Sequence, residues 1–217
     1  MARIVFDLDG TLIDSAPDIR GVANSLLDER GLQPLTLDEI RSFVGNGAGV
    51  LIEKVRAARD IADSDHDRLL AMFIERYDAA VDLTLPYPGV QPALDTLVQA
   101  GHSLGVCTNK PVSPTHAVLR HLRLNGYFET IWGGDSLPVR KPDPKPLQAA
   151  FDALGAGPAV YVGDSEVDAE TAERANVPFL LFTEGYRKTP IDRLPHAAAF
   201  ASFDRLPALI AEVLAGT

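Results

Sequence analysis

Of 217 residues, 46% are hydrophobic and 23% charged, which fits a globular protein of one large domain, or a domain carrying an insertion, with a sizeable core. Against 20 Lys and Arg stand 30 acidic residues; the formal net charge of -10 lacks the positive footprint that phosphate-backbone binding needs and argues against nucleic acid as a partner. The one cysteine, Cys107, excludes an internal disulfide and a cysteine-rich zinc cage, and no apolar run approaches the roughly 18 residues of a membrane span, so a cytoplasmic protein without signal peptide or membrane partner is expected.

Arg3 to Leu8 is a short β-branched and aromatic run bounded by Asp9-Gly10-Thr11, and predicts a buried strand ending in a turn. The following stretch, 15–82, predicts helices and no strand. Ile19, Val22, Ala23, Leu26 and Leu27 trace one helix face, with Pro17 suited to its first turn and Gly31 to its end. Thr36 with Glu39 forms a capping-box pattern before Ile40 and Phe43. Val50, Leu51, Lys54, Val55 and Ala58 are spaced for a third helix, and Leu69, Leu70, Phe73, Ile74 and Tyr77 for a fourth. Pro86-Tyr87-Pro88-Gly89 then breaks the helical pattern. Ser103 to Thr108, Thr130 to Gly133, Ala159 to Gly163 and Phe179 to Phe182 are further strands separated by helical patterns, Cys107 being a small buried hydrophobe in the first of them. The expected fold is therefore α/β, a Rossmann-like doubly wound parallel sheet built from 1–14 and 83–217 with an all-helical insertion over 15–82, binding its ligand beyond the carboxyl ends of the strands.

Those strand ends carry the polar residues. In Asp7-Leu8-Asp9-Gly10-Thr11 the alternation of side chains along an extended backbone points both carboxylates to one side. Such a pair suits a cation, and in different environments the two can hold different protonation states, one a nucleophile and the other an acid or base; a solvated turn would use the same residues. Thr108-Asn109-Lys110 precedes a helix start, where a hydroxyl, an amide and backbone N–H groups can hold a phosphoryl group or simply cap the helix. Arg140-Lys141-Pro142-Asp143-Pro144 leaves Lys141 on a segment stiffened by two prolines. Gly163-Asp164-Ser165-Glu166-Val167-Asp168 sets another acid at a strand end and a second four residues on, although Ser165 with Asp168 also fits a capping box. His116 and His121, five apart, do not share a helical face, and no histidine is given a role.

In this order FDLDGTLIDS, TNK, RKPDP and GDSEVD resemble the four motifs of the haloacid dehalogenase superfamily, over essentially the whole chain, with the helical insertion placed like that family's cap domain. The resemblance implies that Asp7 is the nucleophile and Asp9 the general acid/base. It further implies that Asp7, the backbone carbonyl of Asp9 and Asp164 bind Mg2+, that Thr108, Asn109 and Lys141 hold the transferring phosphoryl group, and that Asp168 supports the metal site or orients Lys141. The chemistry is coherent in itself. A carboxylate attacking a phosphate dianion meets charge repulsion, which a hard cation and a lysine offset, and an aspartyl phosphate divides a difficult hydrolysis into two steps. Dehalogenases of the superfamily lack the second acid, so Asp9 points to phosphoryl chemistry.

Phe43-Val44-Gly45-Asn46-Gly47-Ala48-Gly49 and Thr183-Glu184-Gly185-Tyr186-Arg187 look like the phosphoglycolate phosphatases of that superfamily, which implies 2-phosphoglycolate as the small-molecule substrate. Gly45, Asn46 and Gly47 are then expected to approach the substrate from the cap, an ordinary helix-to-helix turn being the alternative. Arg187 and Lys54 are candidates for its carboxylate. Alternatives are a phosphatase for a sugar phosphate, nucleotide or pyrophosphate, a sugar phosphomutase of the same superfamily and, more remotely, a phosphoryl-accepting signalling module. A monomer or homodimer is expected.

Overall fold

The structure, a computed structural model, describes residues 1–216. In chain order it contains β1 (Arg3–Phe6), β2 (Ile13–Asp14), α1 (Ala16–Asp28), α2 (Leu37–Phe43), α3 (Gly47–Ala58), α4 (His66–Tyr77), β3 (Leu85–Pro86), α5 (Val90–Gln99) and β4 (Ser103–Cys107). There follow α6 (Val112–His121), β5 (Thr130–Trp132), α7 (Lys145–Ala153), β6 (Ala159–Gly163), α8 (Glu166–Ala175), β7 (Phe179–Phe182), β8 (Ala198–Phe200) and α9 (Leu206–Ala215). No helix among the described residues is long and apolar enough to cross a membrane.

The expected α/β doubly wound sheet is present, and its strands run in the order β5-β4-β1-β6-β7-β8, all pairs parallel. A parallel sheet must be covered on both faces, and the side chains show how. Ile4, Phe6, Leu104, Val106, Val160 and Val162 enter one cluster with residues of α5, α6 and α9. Their neighbours Val5, Cys107 and Tyr161 enter a second cluster with Leu147, Phe151, Ala169 and Ala172 of α7 and α8. The period of two along each strand thus feeds two cores from one short apolar run.

Helices α1 to α4 form a separate cluster in which Ile19, Leu26, Ile40, Leu51, Phe73 and Tyr77 are buried. The capping box at Thr36 forms as expected, with Thr36 Oγ1 accepting from Glu39 N and Glu39 Oε2 from Thr36 N. Three strands were not foreseen. β8 is an Ala-Ala-Phe segment too short to show alternation, and it exists because Leu180 to Phe182 offers it a parallel edge. β2 and β3 are two residues each, and their antiparallel pairing, Ile13 to Pro86 and Asp14 to Leu85, holds side by side the two chain crossings between sheet and helical unit. Long-range pairing of this kind leaves no local pattern in the sequence.

The crossings are locked by one acid. Asp18, buried in the first turn of α1, accepts hydrogen bonds from Leu83 N at 3.2 and 3.1 Å and from Thr84 Oγ1 at 2.6 Å. Asp18→Ala leaves the buried Thr84 hydroxyl and the Leu83 N–H without their acceptor and is expected to lower stability by about 1–3 kcal/mol, read from the urea midpoint at constant m-value.

Candidate active site

The site sits where the topology opens the sheet. From β1 the chain moves to β4 and β5 on one side, then returns to β6 on the other, so the connections leave β1 and its neighbours in opposite directions. Such a switch point leaves a crevice at the carboxyl ends of the strands. Asp7 follows β1, Thr108 follows β4 and Asp164 follows β6, while Lys141 enters from the connection between β5 and α7.

Lys141 is the hub, buried with Nζ 2.8 Å from Asp7 Oδ1 and 2.7 Å from Asp168 Oδ1. Its third donor meets the Tyr161 hydroxyl at 2.8 Å, and that hydroxyl in turn donates to Asp168 Oδ1 at 2.7 Å. Asp168 serves both readings of the sequence. Its Oδ2 accepts from Ser165 N at 3.1 Å and Ser165 Oγ at 2.6 Å, capping α8, while Oδ1 holds Lys141. Asp164 accepts from Thr11 Oγ1 at 2.7 Å and from Tyr186 N at 2.6 Å. A Cβ at Gly10, whose φ is +92°, would stand 2.6 Å from Asp164 Oδ2, and one at Gly185 would strike the same oxygen, so two glycines cradle this carboxylate.

Asp7, Asp164 and Asp168 each offer one oxygen to a group whose members all lie within 4.8 Å of one another, and all three are buried. These hard oxygen donors share one buried ammonium, Lys141, so when all three are ionised two negative charges are left over, a deficit that a divalent cation can fill. The residues present therefore fit a metal ion.

Asp9 faces the other way. Its Oδ1 accepts from Ser15 Oγ at 2.6 Å and from Lys110 Nζ at 3.3 Å. Asp7 and Asp9 open on a cavity of about 40 Å³ also lined by Thr108, Asn109, Lys110, Gly45 and Gly47, and walled by the apolar side chains of Ile19, Val44, Leu51 and Phe73. Thr108 Oγ1 accepts from Lys110 N at 3.2 Å, which leaves the hydroxyl proton available. Asn109 is a clasp between sheet and helices: Nδ2 donates to Gly45 O at 2.9 Å and to Lys141 O at 3.0 Å. Asn46 precedes α3 and lines the neighbouring hollow with Asp164 and Glu166.

The two cations expected to meet a carboxylate are elsewhere. Lys54 Nζ lies against the carbonyls of Phe43 at 3.3 Å and Ser42 at 3.5 Å, at the end of α2, and Arg187 binds the carbonyl of Thr183. The sequence reading gave no individual role to Lys110, Tyr161 or Tyr186. For Lys110 the signal was its place next to Thr108-Asn109 and for Tyr186 its place in the Thr183 to Arg187 stretch; Tyr161 gave none, because it reads as one more residue of a buried strand.

A family model described as haloacid dehalogenase-like hydrolase matches residues 4–182, which include Asp7, Asp9, Thr108, Lys141, Asp164 and Asp168. The chain belongs to the haloacid dehalogenase-like hydrolases. This hydrolase is 49% identical to a protein of Cereibacter sphaeroides named phosphoglycolate phosphatase, over 99% of its own length and 100% of the relative's. It is 47% identical to one of the same name from Rhodobacter capsulatus, over 95% of each chain. A crystal structure described as a predicted phosphoglycolate phosphatase from Haemophilus somnus 129PT matches with a TM-score of 0.88 at 29% identity, covering 95% of the hydrolase and 96% of that chain.

Electrostatics in the hydrolase follow from the shared ammonium. Burial pushes the Asp7 carboxyl up to about 7, opposed by Lys141 and reinforced by the charge of Asp168. Asp164, buried and beside Asp168 and Asp7, is pushed well above the carboxylate range. Burial acts on Asp168 too, but Lys141, Ser165 and Tyr161 outweigh it and hold the acid below its ordinary value. In metal-free protein, Asp7 and Asp164 are ionised in the unfolded chain above about pH 4 but resist ionisation in the fold, so the native state binds more protons and stability falls as pH rises from about 5 to 7. Urea titrations of chelated protein should show this fall, and both Asp164→Asn and an added divalent cation should flatten it.

Proposed function

We propose that this hydrolase is a magnesium-dependent phosphatase that converts 2-phosphoglycolate into glycolate and phosphate, with a phosphoryl group held transiently on Asp7. Residues 15–82 act as the cap over a catalytic core formed by 1–14 and 83–217. The observation that carries the reading is a buried carboxylate, Asp7, on Lys141 and a second acid, Asp9, opening on one small cavity between sheet and helices. The lone buried thiol, Cys107, suits a reducing cytoplasm.

In the first step a carboxylate oxygen of Asp7 attacks phosphorus. Lys141 opposes the burial that disfavours the ionised carboxylate and holds it in place, and its charge offsets repulsion from the phosphoryl oxygens. The Thr108 hydroxyl donates to one of those oxygens. Asp9 gives its proton to the ester oxygen as the glycolate leaves, then takes one from the water that attacks the aspartyl phosphate, as microscopic reversibility allows. Asp7, Asp164 and the backbone carbonyl of Asp9 would hold Mg2+, which when bound neutralises charge on the buried acids and on the phosphoryl group.

Substrate size follows from the cavity. The half-open cavity of about 40 Å³ bordered by Ile19, Val44, Leu51 and Phe73 gives room for a few water-sized groups, which suits a small leaving group such as a two-carbon acid. The name carried by relatives at 47% and 49% identity supports the same ester.

A phosphate-release screen over small esters tests the proposal. 2-Phosphoglycolate is expected to give the highest kcat/KM, with activity lost in excess chelator, regained with Mg2+ and poorly supported by Ca2+, whose looser coordination disturbs the line of attack. Full turnover in metal-free protein would remove the mechanism, and a low rank for 2-phosphoglycolate would remove the substrate. Asp9→Asn is expected to lower kcat/KM on 2-phosphoglycolate by about a hundredfold to ten-thousandfold. An aryl phosphate, whose phenolate needs less protonation, should suffer less in that variant and leave acid-stable phosphate on the protein in rapid quench. Wild-type turnover on the alkyl ester would refute the acid/base role.

A further inference from the structure

We propose that Lys110 is the specificity residue that receives the carboxylate of the leaving group, which makes the substrate class phosphate esters of small 2-hydroxy acids. The inference rests on the phosphatase reading above and names the group that selects its substrate.

The two buried lysines of the site are divided by Asp7 and Asp9. Lys141 touches Asp7 and Asp168, on the side of the acids that can hold a metal. Lys110 touches Asp9 and, among the described residues, is the cation lining the cavity where the leaving group must lie. Its side chain is 3% exposed, and Nζ rests over the Tyr77 ring, 3.9 Å from the centroid, with the Tyr77 hydroxyl as a second partner. Beside Asp7, Asp9, Thr108 and Asn109 at the strand ends, the wall is formed by apolar side chains and Tyr77, so this lining offers a leaving group one positive charge, held by the core and touched by α4.

Charge balance through the reaction gives that ammonium a reason to be there. Asp9 is the carboxylate that pairs with Lys110, at 3.3 Å, and to act as an acid in the first step it must carry a proton. At that moment Lys110 loses its nearest anion while remaining buried, with Asp18 and Asp7 as the acids left to act on it. A carboxylate on the carbon next to the ester oxygen restores the pair. The ester oxygen then faces the proton of Asp9 while the carboxylate takes the adjacent ammonium, so a two-carbon hydroxy acid spans two neighbouring groups. Lys54 and Arg187 are committed to backbone carbonyls and lie outside the lining.

The test compares 2-phosphoglycolate with ethyl phosphate, in which a methyl group replaces the carboxylate, in wild type, Lys110→Met and Lys110→Arg. The ratio of kcat/KM for the two esters is expected to fall by about 10- to 100-fold in Lys110→Met, the range for a charged hydrogen bond, and to survive in large part in Lys110→Arg. The uncleavable pair 3-phosphonopropionate and propylphosphonate should show the same loss as a ratio of inhibition constants, which reads binding apart from proton transfer. Equal losses on both esters, with the inhibitor ratio unchanged, would overturn the assignment and leave Lys110 as a positioning residue for Asp9. A wild type with no preference for 2-phosphoglycolate over ethyl phosphate would remove the substrate reading and this inference together, whereas a preference that persists in Lys110→Met removes the inference alone. Should Lys110→Met fail to fold, Lys110→Gln carries the same comparison.

Discussion

Three buried carboxylates share one buried ammonium, and the architecture of the site is arranged around that imbalance. Lys141 spans Asp7 and Asp168 with bonds of 2.8 and 2.7 Å, and Tyr161, rising from the centre of β6, completes its coordination. An ion group this dry is expensive unless every polar atom is placed. The placement comes from backbone that has no side chain to interfere. A Cβ at Gly163 would lie 2.5 Å from that of Asp168, and Gly10 and Gly185 leave space around Asp164. The remaining acidic oxygens form a group that could hold a metal ion.

The same constraint separates the tasks of the two layers. The sheet supplies the groups that need fixed geometry, because strand ends locked in a register of parallel pairs move little. The helical unit supplies the apolar walls of the cavity and the backbone of Gly45, reached from the sheet by Asn109. Asn109 also binds the carbonyl of Lys141, so the loop between α2 and α3 is joined by one amide to the segment that carries the central ammonium. The paired crossings β2 and β3, Asp18 on Leu83 and Thr84, and Asp14 on Arg41 at 2.9 Å set the angle at which the helices meet the sheet.

Much of this was legible in the sequence, for identifiable reasons. The strands that form β1, β4, β5, β6 and β7 could be read because a buried parallel strand is a short apolar run ended by polar residues, and these chain segments have that form. Thr36 with Glu39 and Ser165 with Asp168 could be read because a capping box is local, four residues end to end. Asp7, Asp9, Thr108, Lys141 and Asp164 stood out because each lies at, or on the way from, a strand end, where polar residues interrupt apolar ones.

What the sequence determined by itself was the order of chemical groups along a doubly wound sheet, and with it the family. Which groups touch was decided only by tertiary structure. Tyr161 read as one more apolar strand residue, yet its hydroxyl joins Lys141 to Asp168. Tyr186, far along the chain, brings its N–H to Asp164 and its hydroxyl to Asp14. Lys54 and Lys110 are both lysines near glycine-rich or polar turns, and no local pattern says that one ends on helix carbonyls and the other beside Asp9. The physical reason is range. Strand, helix and cap are settled by neighbours a few residues apart, whereas charge pairing is settled by whatever the fold brings within about 4 Å, here across 101 residues for Lys110 with Asp9 and 134 for Lys141 with Asp7.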